Sequence, residues 1–205
     1  MINPIFRAGL LAALLLLIQA CSTMQPTVEQ DPLRLEKYRD RAAVLSSLDT
    51  WALSGRLAVS DENDGGSGKL RWQESPGGSR MDFHGALGRG AWQMEANAAG
   101  AVLELADGSR YSANSVGELV REQLGWQVPV ESLAWWVRGL EAPGDSGTMV
   151  LTENGTLSQL RQHGWEVEYG RYREAGGYGL PLKLTARQEG RTVKLAIREW
   201  SLGDP

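Results

Sequence analysis

WALSGRLAVS, residues 51 to 60, decides the fold, because apolar residues begin here to recur at every second position. The apolar face of the stretch consists of Trp51, Leu53, Leu57 and Val59. Polar residues, among them Ser54 and Arg56, occupy the positions between them. A period of two is typical of a β-strand with one buried and one solvated face.

The same alternation returns in nine further stretches of the chain. They are GKLRWQE (68–74), RMDFH (80–84), AWQMEAN (91–97), AVLELA (101–106), TMVLT (148–152), TLSQLRQ (156–162), WEVEYGRY (165–172), LPLKLTAR (180–187) and TVKLAIREW (192–200). Glycine-rich and Asn/Asp-rich segments such as SPGG and ADGS separate many of them, as turns require. The pattern predicts a mainly β (α+β) fold with a curled antiparallel sheet of roughly ten to eleven strands.

Three short helices are predicted besides the strands. Asp31 and Pro32 are a helix N-cap and first-turn pair, and apolar residues follow at helical spacing. Ser115 and Glu118 form a capping box for a second helix, with Gly125 at its C-terminal end. A third helix follows Pro129 and ends at Gly139. The apolar positions predicted for the first helix face are Leu35, Tyr38, Ala42, Leu45 and Leu48.

The N-terminus predicts export and lipidation. Arg7 precedes an apolar run that is too short for a good spanning helix. The run ends in Ile18-Gln19-Ala20-Cys21, which resembles a bacterial lipobox. Cys21 is the sole cysteine of the chain, so we expect it to carry the lipid anchor rather than a disulfide. The alternative is an incidental cysteine after an ordinary signal peptide. We therefore expect a signal peptide at 1–20, a lipidated tether at 21–30 and a single lipid-binding domain at 31–205.

Composition and motifs narrow the classes of function. The chain has a formal net charge of −4, which loss of Arg7 with the signal peptide makes more negative, so a nucleic-acid partner is not expected. His84 and His163 have no cysteine partner nearby and no G-x-S-x-G or H-E-x-x-H motif accompanies them. We expect no catalytic residue, no metal and no cofactor.

The apolar sheet face can be filled by its own side chains or can surround a cavity beneath the helices. Both alternatives remain open from the periodicity alone. If there is a cavity, acyl chains are its natural ligand. The residues predicted to line it are Leu57, Trp72, Phe83, Trp92, Met94 and Leu103 from the strands, and Leu119, Leu133 and Trp136 from the helices.

The turn in DFHGALGRGAW, residues 82 to 92, places a leucine among glycines. Gly85 and Gly88 flank Leu87, so this large apolar side chain has few neighbours to pack against. One interpretation is that Leu87 folds back over the sheet edge. The other is a membrane-insertion loop, in which Leu87 enters the lipid tails.

Several of these stretches, in this order, resemble the LolB family of outer-membrane lipoprotein receptors. The most specific piece is LGWQVPVESLAWWVRGL, residues 124 to 140, with Trp126 and Pro129 at the family's spacing. HGALGRG resembles the family's Gly-Pro-Leu-Gly loop, with Ala86 in place of the proline. Ser22 after the cysteine resembles the sorting signal for the outer membrane rather than the inner one.

The resemblance implies an unclosed β-barrel with helices as a lid over an apolar cavity. It implies transfer of mature lipoproteins from the periplasmic carrier LolA to the inner leaflet of the outer membrane, without nucleotide or metal. We expect a monomer at the periplasmic face of the outer membrane, anchored through Cys21. The alternative is a non-catalytic envelope-assembly scaffold lipoprotein with a filled core.

Overall fold

A computed structural model describes residues 31–61, 65–85 and 90–203. Eleven of the strands in these ranges form one sheet in the order β6-β5-β4-β3-β2-β1-β13-β12-β9-β8-β7, and β10 pairs with β11 separately. The strands are β1 Trp51–Ser60, β2 Gly65–Ser75, β3 Gly78–Gly85, β4 Trp92–Asn97, β5 Gly100–Leu105, β6 Arg110–Ala113, β7 Thr148–Leu151, β8 Leu157–Gln162, β9 Trp165–Tyr169, β10 Tyr172–Ala175, β11 Tyr178–Pro181, β12 Lys183–Gln188 and β13 Arg191–Leu202.

The sheet consists of two antiparallel halves that are joined by the pairing of β1 with β13. Strand β1 pairs with β2 on one side and with β13, the last strand, on the other. Leu57 of β1 lies opposite Leu195 of β13, so the alternating apolar residues of both strands share one face. Strands β6 and β7 end the sheet on opposite sides, so the predicted unclosed β-barrel is confirmed.

A β-bulge interrupts the pairing of β1 with β13 between Ser54 and Gly55. A Cβ atom at Gly55 would collide with the carbonyl oxygen of Ala196, so only glycine fits this close approach. Bulges increase the local twist of a sheet and help it to curl.

The three described helices are α1 (Pro32–Ser46), α2 (Val116–Gln123) and α3 (Val130–Trp136). The side chain of Asp31 accepts a hydrogen bond from the amide of Leu33, as a helix N-cap does. Ser115 caps α2 through the amide of Glu118. These two predicted helix starts are confirmed. Among the described residues, no helix is both long and apolar enough to cross a membrane.

Some predicted boundaries were wrong. Helix α3 ends at Trp136 and not at Gly139, because the chain tightens into a turn in which Gly139 has a φ of 72°. Strand β6 was missed because Arg110–Ala113 has no apolar alternation. The stretch 165–172 was predicted as one strand, but Gly170 separates β9 from β10.

Helix α1 is bound to the turn after α3 by Arg41. Its guanidinium donates hydrogen bonds to the carbonyls of Arg138, Gly139 and Gly179 over 2.7 to 3.0 Å. Burial lowers the pKa of Arg41, because the charged form loses water, but the three carbonyls replace that hydration.

Arg138 makes the reciprocal contact. It is buried, and its Nη1 donates to the carbonyl of Leu45 near the end of α1 at 2.8 Å. The guanidinium also lies over the rings of Trp135 and Trp51, 4.7 and 5.6 Å from their centroids. Cation–π contacts and the negative end of the α1 dipole compensate for the burial that lowers the pKa of Arg138. The two arginines therefore hold α1 against α3 and the turn that follows it.

Candidate functional site

The structure brings all nine predicted cavity residues into one apolar core. Each of their side chains is at most 7% exposed, and the five strands and two helices that carry them share a single cluster. The cluster lies between the inner face of the sheet and the helices α2 and α3. The strand alternation and the helical spacing therefore predicted the correct faces. Whether these residues bind acyl chains stays a prediction.

Within this core, a gap lies between the helices and the first four strands of the sheet. Its volume is about 30 Å³. Every residue that lines it is apolar. The lining consists of Leu57, Val59, Leu70, Trp72, Met81, Trp92, Val120, Trp126, Val128, Val130 and Leu133.

Four of the predicted residues line this gap, and the other five lie elsewhere in the core. Phe83, Met94, Leu103, Leu119 and Trp136 pack outside the gap's lining. Cavity volume was left open by the sequence, and the structure shows an interior that is almost filled.

The segment between α2 and α3 was missed as part of the lining. It contributes Trp126 and Val128, whose side chains alternate before Pro129 in the same way as on a strand. That alternation is the signal that was available, but it was assigned only to the helical region. Val130, the first residue of α3, continues the same apolar edge.

An aromatic cluster closes the gap at the Trp126 end. Phe83 and Trp92 stack with ring centroids 5.2 Å apart, and Trp126 meets Phe83 edge-on at 5.6 Å. A Cβ atom at Gly66 would lie 2.7 Å from the Trp126 ring, so glycine in β2 allows the indole to lie against the strand. Trp126 is thus held here by apolar contacts.

Trp92 carries a polar group that this arrangement leaves unsatisfied. Its Nε1 is buried and has no hydrogen-bond partner among the described residues. An unmade hydrogen bond of this kind costs about 1–3 kcal/mol. The closed arrangement of the aromatic cluster therefore contains a destabilising element.

Helices α2 and α3 are joined to each other by polar contacts. The amide of Gly117 in α2 donates to the Glu131 carboxylate of α3 at 3.2 Å. The segment between the helices is bonded to α2, because the amide of Trp126 donates to the carbonyl of Val120 at 3.1 Å. Helix α2 packs on β5 and on the edge strand β6. The two helices and the segment between them thus form a unit, which we call the lid (residues 116–139).

The two histidines lie on the surface and do not line this gap. His84 is exposed on the outer face of β3. His163 is exposed in a turn, where its Nδ1 lies 2.9 Å from the hydroxyl of Ser132. In the part of the chain that the structure describes, no group of three or more metal-ligating side chains comes together.

Cys21, Leu87 and Gly88 lie outside the described residues. Gly85 is half-buried as the last residue of β3. The predictions for the anchor and for the membrane-insertion loop therefore stay predictions.

Comparison with known proteins places the chain in a family. Residues 49–200 match the family model described as outer membrane lipoprotein LolB. The chain belongs to the LolB family. The outer-membrane lipoprotein LolB of Pseudomonas putida is 40% identical over 165 residues, which cover 80% of each chain. The LolB of Pseudomonas aeruginosa is 38% identical over the same length and coverage. The LolB family is a non-enzymatic component of outer-membrane lipoprotein localisation, and this assigns the chain to that process.

Solved structures with low sequence identity share the fold. A LolA superfamily protein from Nitrosomonas europaea is 12% identical, with a TM-score of 0.50 over 84% of this chain and 93% of that chain. A DUF1329 family protein from Desulfovibrio piger is 7% identical, with a TM-score of 0.53 over 84% and 94%. The curled sheet with a helical cover is therefore an architecture that divergent sequences adopt.

We expect Met94→Asp to destabilise the protein by roughly 3–5 kcal/mol, because it places an unpaired carboxylate in the apolar core. Met94 is 1% exposed. The control is Gln93→Asp on the opposite face of β4, where Arg80 donates to the side chain at 2.8 Å. Urea unfolding should show a change within about 0.5 kcal/mol for the control. Equal stability of both variants would contradict the inward orientation of Met94.

Proposed function

We propose that this protein accepts mature lipoproteins from a periplasmic carrier of the LolA type and inserts them into the inner leaflet of the outer membrane. The acyl chains would bind between the sheet and the lid. The observation that carries the proposal is the wholly apolar lining of the gap under the lid. Family membership supports the same process.

Acyl binding requires the lid to move. A space of about 30 Å³ does not admit a hydrocarbon chain, so the chain would enter as the lid separates from the strands. Burying one methylene contributes ~0.8 kcal/mol, so a chain of roughly ten methylenes contributes about 8 kcal/mol toward holding the lid open. The bound chain would replace the contacts that Trp126 and Val128 lose.

The direction of transfer would follow from relative affinity for acyl chains. The interior of this protein would bind them more tightly than the carrier does, and the bilayer more tightly still. No nucleotide or metal is needed for a transfer that runs downhill. The protein would act as a monomer, without a catalytic residue.

The domain boundaries fit this role. Residues 1–20 would be removed as a signal peptide, and lipidated Cys21 would anchor the protein at the periplasmic face of the outer membrane. Residues 21–30 would form the tether, and residues 31–205 the single lipid-binding domain. Two or three acyl chains on Cys21 anchor stably, whereas one does not.

A scaffold function remains a second candidate, because the core is almost filled. A non-catalytic envelope-assembly lipoprotein would keep this interior closed throughout its work. The two candidates differ in whether an apolar ligand enters.

We expect the wild-type protein to take up an apolar fluorescent dye, slowly because the lid must open first. Trp126→Ala removes the ring that closes one end of the gap and should make uptake several times faster. The control, Tyr111→Ala, changes an exposed aromatic residue on β6 and should leave the rate unchanged. Stopped-flow fluorescence measures all three. A wild-type protein that leaves the dye dark would refute the proposal in favour of the scaffold.

We expect Leu87→Glu to receive lipoproteins from the carrier normally but to deliver them to membranes roughly tenfold more slowly, because a buried leucine side chain is worth only ~1.5–3 kcal/mol. That free energy is enough to orient the opening beneath the lid toward the bilayer but too small to anchor the protein. The control is Val44→Glu, which adds the same charge at an exposed apolar position on α1. Reconstituted transfer into liposomes at equal loading gives the readout. Equal delivery by Leu87→Glu and wild type would show that Leu87 only packs.

A further inference from the structure

The outer face of the sheet carries six basic side chains at its centre, which we call the central basic patch. All six are exposed. They are Arg56 of β1, Lys69 and Arg71 of β2, Lys183 of β12, and Lys194 and Arg198 of β13. Three of the four lysines in the sequence belong to it. The chain as a whole is acidic, with a net charge of −4, so composition does not explain this concentration of positive charge.

The register places these like charges side by side. Arg56 lies directly opposite Lys69, and Lys69 lies directly opposite His84 of β3. On the other side of Arg56, Ala196 separates it from Lys183. Like charges directly opposite each other destabilise a sheet, so this arrangement does not serve the stability of the fold.

No residue of the central basic patch forms an ion pair within the described part of the chain. The arginines that surround it on the same face are paired: Arg80 with Glu95 at 2.6 Å, Arg187 with Glu168 at 2.6 Å and Arg161 with Glu166 at 3.1 Å. Two carboxylates approach the patch. Asp82 lies directly opposite Arg71 in the register and is paired with Arg80 at 3.3 Å, and Glu199 accepts a hydrogen bond from Ser54 at 3.4 Å.

The patch surrounds an open groove of about 800 Å³. Ser54 and Gly55, at the bulge, are among the residues that line it. Arg56, Lys69 and Arg198 are among the side chains that line it. Four basic side chains and one carboxylate, Asp82, line the groove, which therefore combines an excess of positive charge with room for an anionic group.

Two constraints favour a membrane as the source of that anion. His84, beside Lys69, is followed by Gly85 and then by segment 86–89, which the proposed function assigns to the bilayer. The ten residues 21–30 span at most about 35 Å when extended, so an anchor at Cys21 would keep the domain that carries the patch near lipid headgroups.

We propose that the central basic patch binds the phosphate groups of anionic phospholipids and so orients the domain on the membrane. The inference rests on the proposed function for the membrane contact of segment 86–89. Each cation at an anionic surface contributes about fivefold in affinity. The patch would orient the domain through electrostatic attraction to the membrane surface, in addition to the apolar contact proposed for Leu87.

The test uses the full lipidated protein in phosphatidylcholine vesicles, with or without phosphatidylglycerol. A membrane-impermeant amine reagent modifies the lysines, and mass spectrometry measures the rate at each one. We expect phosphatidylglycerol to slow the modification of Lys69 and Lys194 at least about fivefold. Lys37 on α1 is the internal control and should react equally in both vesicles. High salt, with a Debye length of about 3 Å, should abolish the difference.

Two triple variants test whether the protection depends on the patch, and both retain all four lysines. Arg56→Gln/Arg71→Gln/Arg198→Gln should lose the protection of Lys69 and Lys194 and should melt no lower than wild type, since like charges are removed. Arg39→Gln/Arg110→Gln/Arg173→Gln makes the same change in net charge at exposed positions outside the patch and the lid, and should retain the protection. Both variants should accept lipoprotein from the carrier normally.

Equal modification of Lys69 in both kinds of vesicle would overturn the inference. So would protection that appears only when the loaded carrier is added to phosphatidylcholine vesicles, because the groove would then bind an acidic protein surface. Protection of the lysines from the amine reagent does not require acyl uptake. Protection without dye uptake would therefore refute the proposed function alone, and dye uptake and delivery without protection would refute this inference alone.

Discussion

The apolar inner face of an open eleven-stranded sheet must be covered, and the described helices that cover it are short. Helices of seven and eight residues, such as α3 and α2, are not stable alone in water. Packing on the sheet stabilises these helices, and the helices in turn keep the apolar side chains of the sheet away from water. The cover is therefore held by tertiary contacts, which an apolar ligand of similar chemistry can replace.

The cover is not held equally at both ends. At one end, Arg41 and Arg138 bind the carbonyls of each other's helix or turn in buried surroundings. At the other end, Trp126 rests on Phe83 and on the glycine backbone of β2 through apolar contacts. Beside it, Trp92 Nε1 has no hydrogen-bond partner in the described part of the chain. Apolar contacts exchange readily for acyl chains, whereas buried charges do not. We infer that the lid separates from the sheet at the Trp126 end, which is also the end from which β3 leads into residue 86.

Alternation and capping residues predicted most of the fold. Leu57, Trp72 and Met94 face inward because apolar residues at every second position of a strand all point to the same side of the sheet. Ser115 marks the start of α2 because its hydroxyl accepts a hydrogen bond from a backbone amide that has no partner within the helix. Strand β6 was not predictable in this way, since its pairing with β5 comes from position at the sheet edge and not from its own side chains. The alternation of Trp126 and Val128 was visible in the sequence, but only the folded chain shows that Trp126 lies against Gly66. Cavity volume depends on how side chains interdigitate, and no sequence pattern records that.

Native-state hydrogen exchange tests the local opening of the lid most directly. The amide of Trp126 donates to Val120 of α2, and so short a helix does not keep this bond once it leaves the sheet, so the amide reports the lid. The amides of β1 and β13 around Leu57 and Leu195 report the sheet. If the lid opens while the sheet stays intact, the Trp126 amide exchanges with a lower opening free energy than the sheet amides, and an acyl ligand changes the exchange of the lid alone. Exchange of both regions with the same free energy would mean that the interior opens only on global unfolding, which would contradict a binding site beneath a movable lid.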